Sequence, residues 1–150
     1  MAVTAYWYAK GFLSVFNKEV DWAADTIKVA LTTSTYTPNQ DTHDYFDDVT
    51  NEVTGTGYTA GGATLGTPTI ANTLNAIKLD GVAVAWTTST ITARRAVVYD
   101  STPGTAGTNP LLFWLDFGED KVSDAGTFTI TWHANGMATI TATDATGYPA

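Results

Sequence analysis

The residues of this chain best equipped for chemistry are its carboxylates, and they fall in two clusters. Asp41, Asp44, Asp47, Asp48 and Glu52, with His43 among them, form the first place where a cation would bind. Calcium takes about six to eight oxygens, usually from a tight loop bent at a glycine. This stretch has no such glycine and does not match EF-hand spacing, so it reads as a solvated acidic loop. Asp116, Glu119, Asp120 and Asp124 bracket Gly118 in a second cluster, expected to be a solvated loop between strands. Paired carboxylates can hydrolyse glycosides, but their separation belongs to the fold and is not written in a sequence. His43 and His133 stand far apart in the chain, and His133 is expected to face solvent. No G-x-S-x-G elbow, P-loop or G-x-G-x-x-G fingerprint is present. The chain has no cysteine, which removes disulfides, thiolate catalysis and Cys-based zinc sites together. The expectation is a protein with no catalytic, cofactor or metal site.

Aromatic and arginine residues offer binding rather than chemistry. Tryptophans at 7, 22, 86, 114 and 132 raise a sugar-binding reading, although Trp86 and Trp132 fall in phase with core-facing neighbours. Leu111, Phe113, Leu115 and Phe117 alternate onto one face of a strand, while Leu112, Trp114 and Asp116 take the other. A strand apolar on both faces must be covered on both. An N-terminal helix is the expected cover, and Leu112 and Trp114 are also candidates for contact with another subunit. Arg94 and Arg95, the only arginines, are adjacent on an expected strand and should point to opposite faces. One then lies among apolar residues and needs an acceptor. That acceptor is a carboxylate of the same chain or, by a bidentate contact, one of a neighbouring subunit. Residues 1–7, with Tyr6 and Trp7, read as an adhesive arm.

The elements that must position these residues follow from composition and period. The 150 residues suit one domain. Charged residues are only 15%, mean hydropathy is -0.03, and threonine takes roughly a fifth of the positions. That composition favours strands. Residues 5–20 form the one helical candidate, with Tyr8, Phe12, Leu13, Val15, Phe16 and Val20 as its apolar stripe. Residues 34–56 are irregular and acidic, with one or two helical turns within 43–49. Strands are expected at 27–33, 57–65, 67–72, 74–79, 82–87, 90–99, 110–117, 126–133 and 137–143. Asp80-Gly81 should make a two-residue hairpin turn pairing Leu79 with Val82. A three-residue turn at 134–136, with Gly136 left-handed, should pair Trp132 with Ala138 and Ile130 with Ile140. The fold class is all-β: an antiparallel, jelly-roll-like β-sandwich of one domain, with one N-terminal amphipathic helix.

The net charge of -8 argues against phosphate neutralisation and against anionic membrane surfaces. No apolar run approaches the ~18 residues of a membrane span, and the start of the chain carries no secretory pattern.

The runs YAKGFLSVFNKEVDW (8–22), IKVALTTSTYTPNQDTHDYFDDVTNEVTGTGYTAGGATL (27–65), STITARRAVVYD (89–100) and FGEDKVSDAGTFTITWHANG (117–136) resemble a group of short tailed-phage proteins. These are regarded as virion structural components, and the resemblance covers most of the chain. It implies localisation in the virion and carries no catalytic residue. Among particle roles, a small acidic β domain suits a head decoration (cement) subunit binding the major capsid protein or other virion proteins. Such subunits self-associate, often as trimers. A tail, neck or fibre component and a carbohydrate-binding module are the alternatives. Tyr6, Trp7, Arg94, Arg95, Leu112 and Trp114 are the expected subunit or shell contacts.

Overall fold

Long runs of Thr, β-branched and aromatic residues give long strands, and two of them dominate the molecule. The computed structural model describes residues 3–143. It is mostly antiparallel β in two sheets, with a single α-helix among the described residues. In chain order these are β1 (Thr4–Trp7), α1 (Ala9–Phe16), β2 (Ile27–Thr32), β3 (Ala63–Thr64), β4 (Gly66–Thr73), β5 (Ala76–Val82), β6 (Val84–Asp100), β7 (Leu111–Ile130) and β8 (Ala138–Thr141). Single 3-10 turns occur at Phe46–Asp48 and Ala106–Thr108. One sheet has the order β1-β7-β6-β2-β3 and the other β4-β5-β8.

Several expected strands merge. Segments 82–87 and 90–99 are one strand, β6, and 110–117 and 126–133 lie largely within one strand, β7. The acidic stretch after Gly118 is therefore strand rather than loop, because β6 supplies a partner on its far side, Ala93 facing Lys121. The strand expected at 57–65 shrinks to Ala63–Thr64, since Gly57, Gly61 and Gly62 adopt positive φ.

Neither expected hairpin forms. Asp80 and Gly81 lie inside β5, where a Cβ on Gly81 would stand 2.7 Å from the Leu65 side chain, so this glycine admits a neighbour instead of turning the chain. The β4–β5 turn is at Leu74-Asn75, with Leu74 at φ 56, a position for which glycine is the usual signal. Gly136 does take positive φ, 97°, in a tight turn closed by the Gly136 N–H to His133 carbonyl bond. The strands around it do not pair across it. Ala138 pairs with Leu79 and Ile140 with Ile77, so β8 belongs to the second sheet.

Two apolar clusters flank the five-stranded sheet. The larger lies between the sheets and joins Val29, Phe113 and Phe117 to Leu79 and Ala138. The smaller lies on the other face and joins Tyr8, Tyr36, Tyr99, Leu111 and Trp114, with Phe46 and Val49 packed against it. Its cover is therefore β1 and the irregular 34–49 segment. The expected cover, the helix, sits elsewhere.

The helix runs from Ala9 to Phe16, shorter than 5–20, because residues 4–7 pair with β7 instead. Its buried residues are Gly11 and Ser14. A Cβ on Gly11 would stand 2.6 Å from the Leu111 carbonyl oxygen and 3.0 Å from that of Leu112. The smallest face of the helix thus lies directly on the β7 backbone, and Leu13, Val15 and Phe16 are turned outward. Gly11→Ala should accordingly destabilise the protein by about 1–3 kcal/mol through overpacking, despite the ~1 kcal/mol gain in helix propensity. A urea unfolding curve that shows no loss would refute this account of the contact.

Candidate functional site

Trp114 and Leu112 are enclosed by their own chain, with 6% and 1% of their surface exposed. Tyr6 stacks on Trp114 at 5.1 Å between centroids, and Tyr8 meets it at 4.6 Å. The Tyr8 and Tyr36 hydroxyls lie 2.9 Å apart, and the Tyr36 hydroxyl reaches His43 Nδ1 at 3.0 Å. Burial raises both tyrosine pKa values, so both stay protonated. The simple alternation placing Leu112 beside Trp114 fails at a bulge: Val98 faces Phe113 but Tyr99 faces Leu111. One residue is skipped, so Leu111 joins the Trp114 cluster and Leu112 joins the cluster between the sheets. Trp7 also turns inward, stacking on Phe12 at 4.8 Å and packing on Phe113 at 5.0 Å. Of the expected contact residues, Tyr6 is the most open, at 40% exposed. Residues 1–2 of the expected arm lie outside the described residues.

The two arginines do not oppose one another. Arg94 Nε donates to Asp116 Oδ1 at 2.9 Å, and Arg95 Nε lies 3.3 Å from Asp116 Oδ2. A bulge between Ala93 and Arg95, opposite Phe117–Asp120, allows both side chains to reach one carboxylate. Arg95 Nη1 also donates to the Tyr36 carbonyl at 2.6 Å, fastening the 34–49 cover to the sheet. Burial alone would raise the Asp116 pKa. The Arg94 hydrogen bond, the Gly118 N–H and the two guanidinium charges outweigh it and hold the carboxyl below its usual value.

Three acids of the first cluster, Asp44, Asp48 and Glu52, are spent on the fold. Asp44 pairs with Lys10 at 3.2 Å, Asp48 Oδ2 accepts the Asp44 N–H, and Glu52 Oε1 accepts both the Tyr58 hydroxyl and the Gly61 N–H at 2.6 Å. Among the described residues no three potential ligands converge as a metal site would require. The five tryptophans are likewise absorbed: Trp22, Trp86 and Trp114 are buried, and Trp7 and Trp132 are half-buried.

Sequence reasoning missed two features. The first is a carboxyl pair. Asp100 is fully buried, its Oδ1 accepts the Thr102 N–H, and its Oδ2 has no hydrogen-bond partner, with the Asp25 carboxyl nearby. Burial raises the Asp100 pKa; Thr102 offsets part of the rise, and Asp25 adds to it.

The second is a cavity of about 590 Å³ between α1, the 20–23 turn and the second sheet. Phe12 and Val15 of α1 form one wall, Ile70, Ile77 and Ile140 another, and Trp7, Trp22 and Leu112 the floor. Lys18 and Asp21 stand at its lip. Its volume lies within the range of about 300–1,000 Å³ that holds ligands or side chains of a partner. Beside it Phe16 is 83% exposed and Leu13 58%. The signal for this surface was present in the apolar stripe of residues 8–20. Periodicity places that stripe against the sheet, because Gly11 and Ser14 carry no weight in a hydrophobic pattern.

The two carboxylates should leave opposite signatures in acid. A depressed pKa stabilises above the unfolded value and is lost as pH falls through the folded one, so Asp116→Asn should cost about 1–2 kcal/mol at pH 7 and progressively less as pH falls below about 3.9. A raised pKa destabilises as pH climbs past the unfolded value of about 3.9, so Asp100→Asn should gain on the wild type from pH 4 to 8. Urea midpoints for both variants across about pH 3–8 check the two signs. No protein-family model, curated protein or solved structure matches the chain.

Proposed function

We propose that this protein is a structural subunit of a tailed-phage virion, acting by binding other protein surfaces rather than by turning over a substrate. The observation that carries the reading is the apolar surface left open on α1 and in the adjoining cavity. Charged side chains are scarce in this chain, and the cavity beside α1 is walled by aliphatic and aromatic groups. Apolar surface of this kind, rimmed by polar residues, marks association sites. The resemblance of residues 8–22, 27–65, 89–100 and 117–136 to short tailed-phage proteins supplies the setting. In this reading the two sheets are the layers of a jelly-roll-like β-sandwich.

Within the particle, the role proposed is that of a head decoration subunit, which self-associates and clamps neighbouring shell subunits from outside. Binding only the assembled shell stabilises it by mass action. The net charge of -8 suits an outer surface better than one lining packaged DNA. No cofactor, metal or nucleic acid enters the proposal.

Cryo-EM of purified virions tests it. The expected result is density for this chain on the outer face of the head, bridging shell subunits. Density confined to tail, neck or fibre would replace the decoration role with that alternative. Particles that lack the protein altogether would overturn the virion reading.

A further inference from the structure

The α1 helix ends in a way that singles out Lys18. The Lys18 N–H bonds to the Val15 carbonyl and the Glu19 N–H to the Ser14 carbonyl, the paired bonds of a Schellman stop. The residue that turns the chain there is Lys18 itself, at φ 63. Glycine is the usual occupant of that position, and a β-carbon there costs about 1 kcal/mol. Lysine is thus held in an unfavourable conformation, as are five other non-glycine residues among the described ones, and its place on the lining of the apolar cavity sets it apart from them. Among the described residues neither Lys18 nor Glu19 takes part in an intrachain ion pair. Asp21, across the lip, is occupied by the N–H groups of Ala23 and Ala24.

The same patch holds both a projection and a recess. Phe16 stands out from α1, and its neighbours on and just after the helix, Phe12, Val15 and Lys18, line the cavity. A surface whose knob and hole lie side by side is complementary to itself under a twofold rotation. A head-to-tail ring would place them on different faces. The adjacent opposite charges fit the same symmetry, because Lys18 of one copy then meets Glu19 of the other while Glu19 meets Lys18.

We propose that the outward face of α1, with the adjoining cavity, is a twofold interface with a second copy of this chain, Phe16 of each copy entering the cavity of the other and Lys18 pairing with Glu19 across the rim. The inference rests on the self-association proposed above and names its surface. Position in a virion does not enter it, so solution measurements judge it separately from cryo-EM of particles.

The test is sedimentation velocity of the purified full chain over a wide concentration range, with far-UV circular dichroism confirming each fold. Wild type should be a dimer. Phe16→Glu should weaken association by about 30-fold or more, as loss of a central anchor does. Lys18→Glu should do so through acid facing acid, and Lys18→Glu combined with Glu19→Lys should restore the dimer. Lys18→Gly should raise the melting temperature of the single chain while weakening association, a split that a purely structural lysine would not give. All the substituted positions are exposed, so folding is not at stake. A wild-type monomer at every concentration, a trimer, or a dimer indifferent to these charges and to Phe16 would each overturn the proposal.

Discussion

The pairing of β6 with β7 is the constraint on which the remaining architecture depends. The two strands run 17 and 20 residues, and the rest of the larger sheet is built outward from them, with β3 joined through β2. β1 pairs with β7, and β2 with β6. A ladder this long cannot stay regular, because strand twist accumulates along it, and bulges absorb the mismatch. Bulges at Val98/Tyr99 and at Ala93/Arg95 decide which side chains meet. One moves Leu111 and Leu112 to opposite clusters. The other converges two arginines on Asp116.

That convergence links the sheet to its cover. Asp116 holds Arg94 and Arg95, and Arg95 holds the Tyr36 carbonyl. Tyr36 then contacts Tyr8 and His43, so one carboxylate organises the contact between strand, N-terminal segment and the irregular 34–49 stretch. A partly buried charge is tolerable here because its acceptors are filled by two cations and a backbone N–H. The same bond set explains why Trp114 needs no partner subunit: the cover is assembled from its own chain.

The surface that does remain open follows from a different contact. Close approach of α1 to β7 at Gly11 requires the helix to bury its smallest residues, and its larger apolar residues are left outside. The helix is thus a wall of the open cavity on one side and a projecting ridge on the other. In the function proposed above, that ridge and cavity are where another protein surface is met.

By itself the sequence determined the class of structure and most of its strand segments. Threonine, β-branched and aromatic residues favour a pleated, half-buried surface wherever they occur, so β2, β4 and the two halves each of β6 and β7 were legible as local patterns. Gly136 was legible for the same reason, since its left-handed conformation answers a local steric demand. Pairing was not legible. Asp80-Gly81 has the composition of a turn, yet the chain runs straight through it because Leu65 packs where a glycine side chain is absent, and the actual turn falls on Leu74. The opposite placement of Leu112 and Trp114 depended on a bulge, and the joint use of Asp116 by both arginines on another. The outward face of α1 depended on how near the helix could come to a backbone carbonyl. Each is set by what lies across a contact distant in sequence, which periodicity along one chain does not encode.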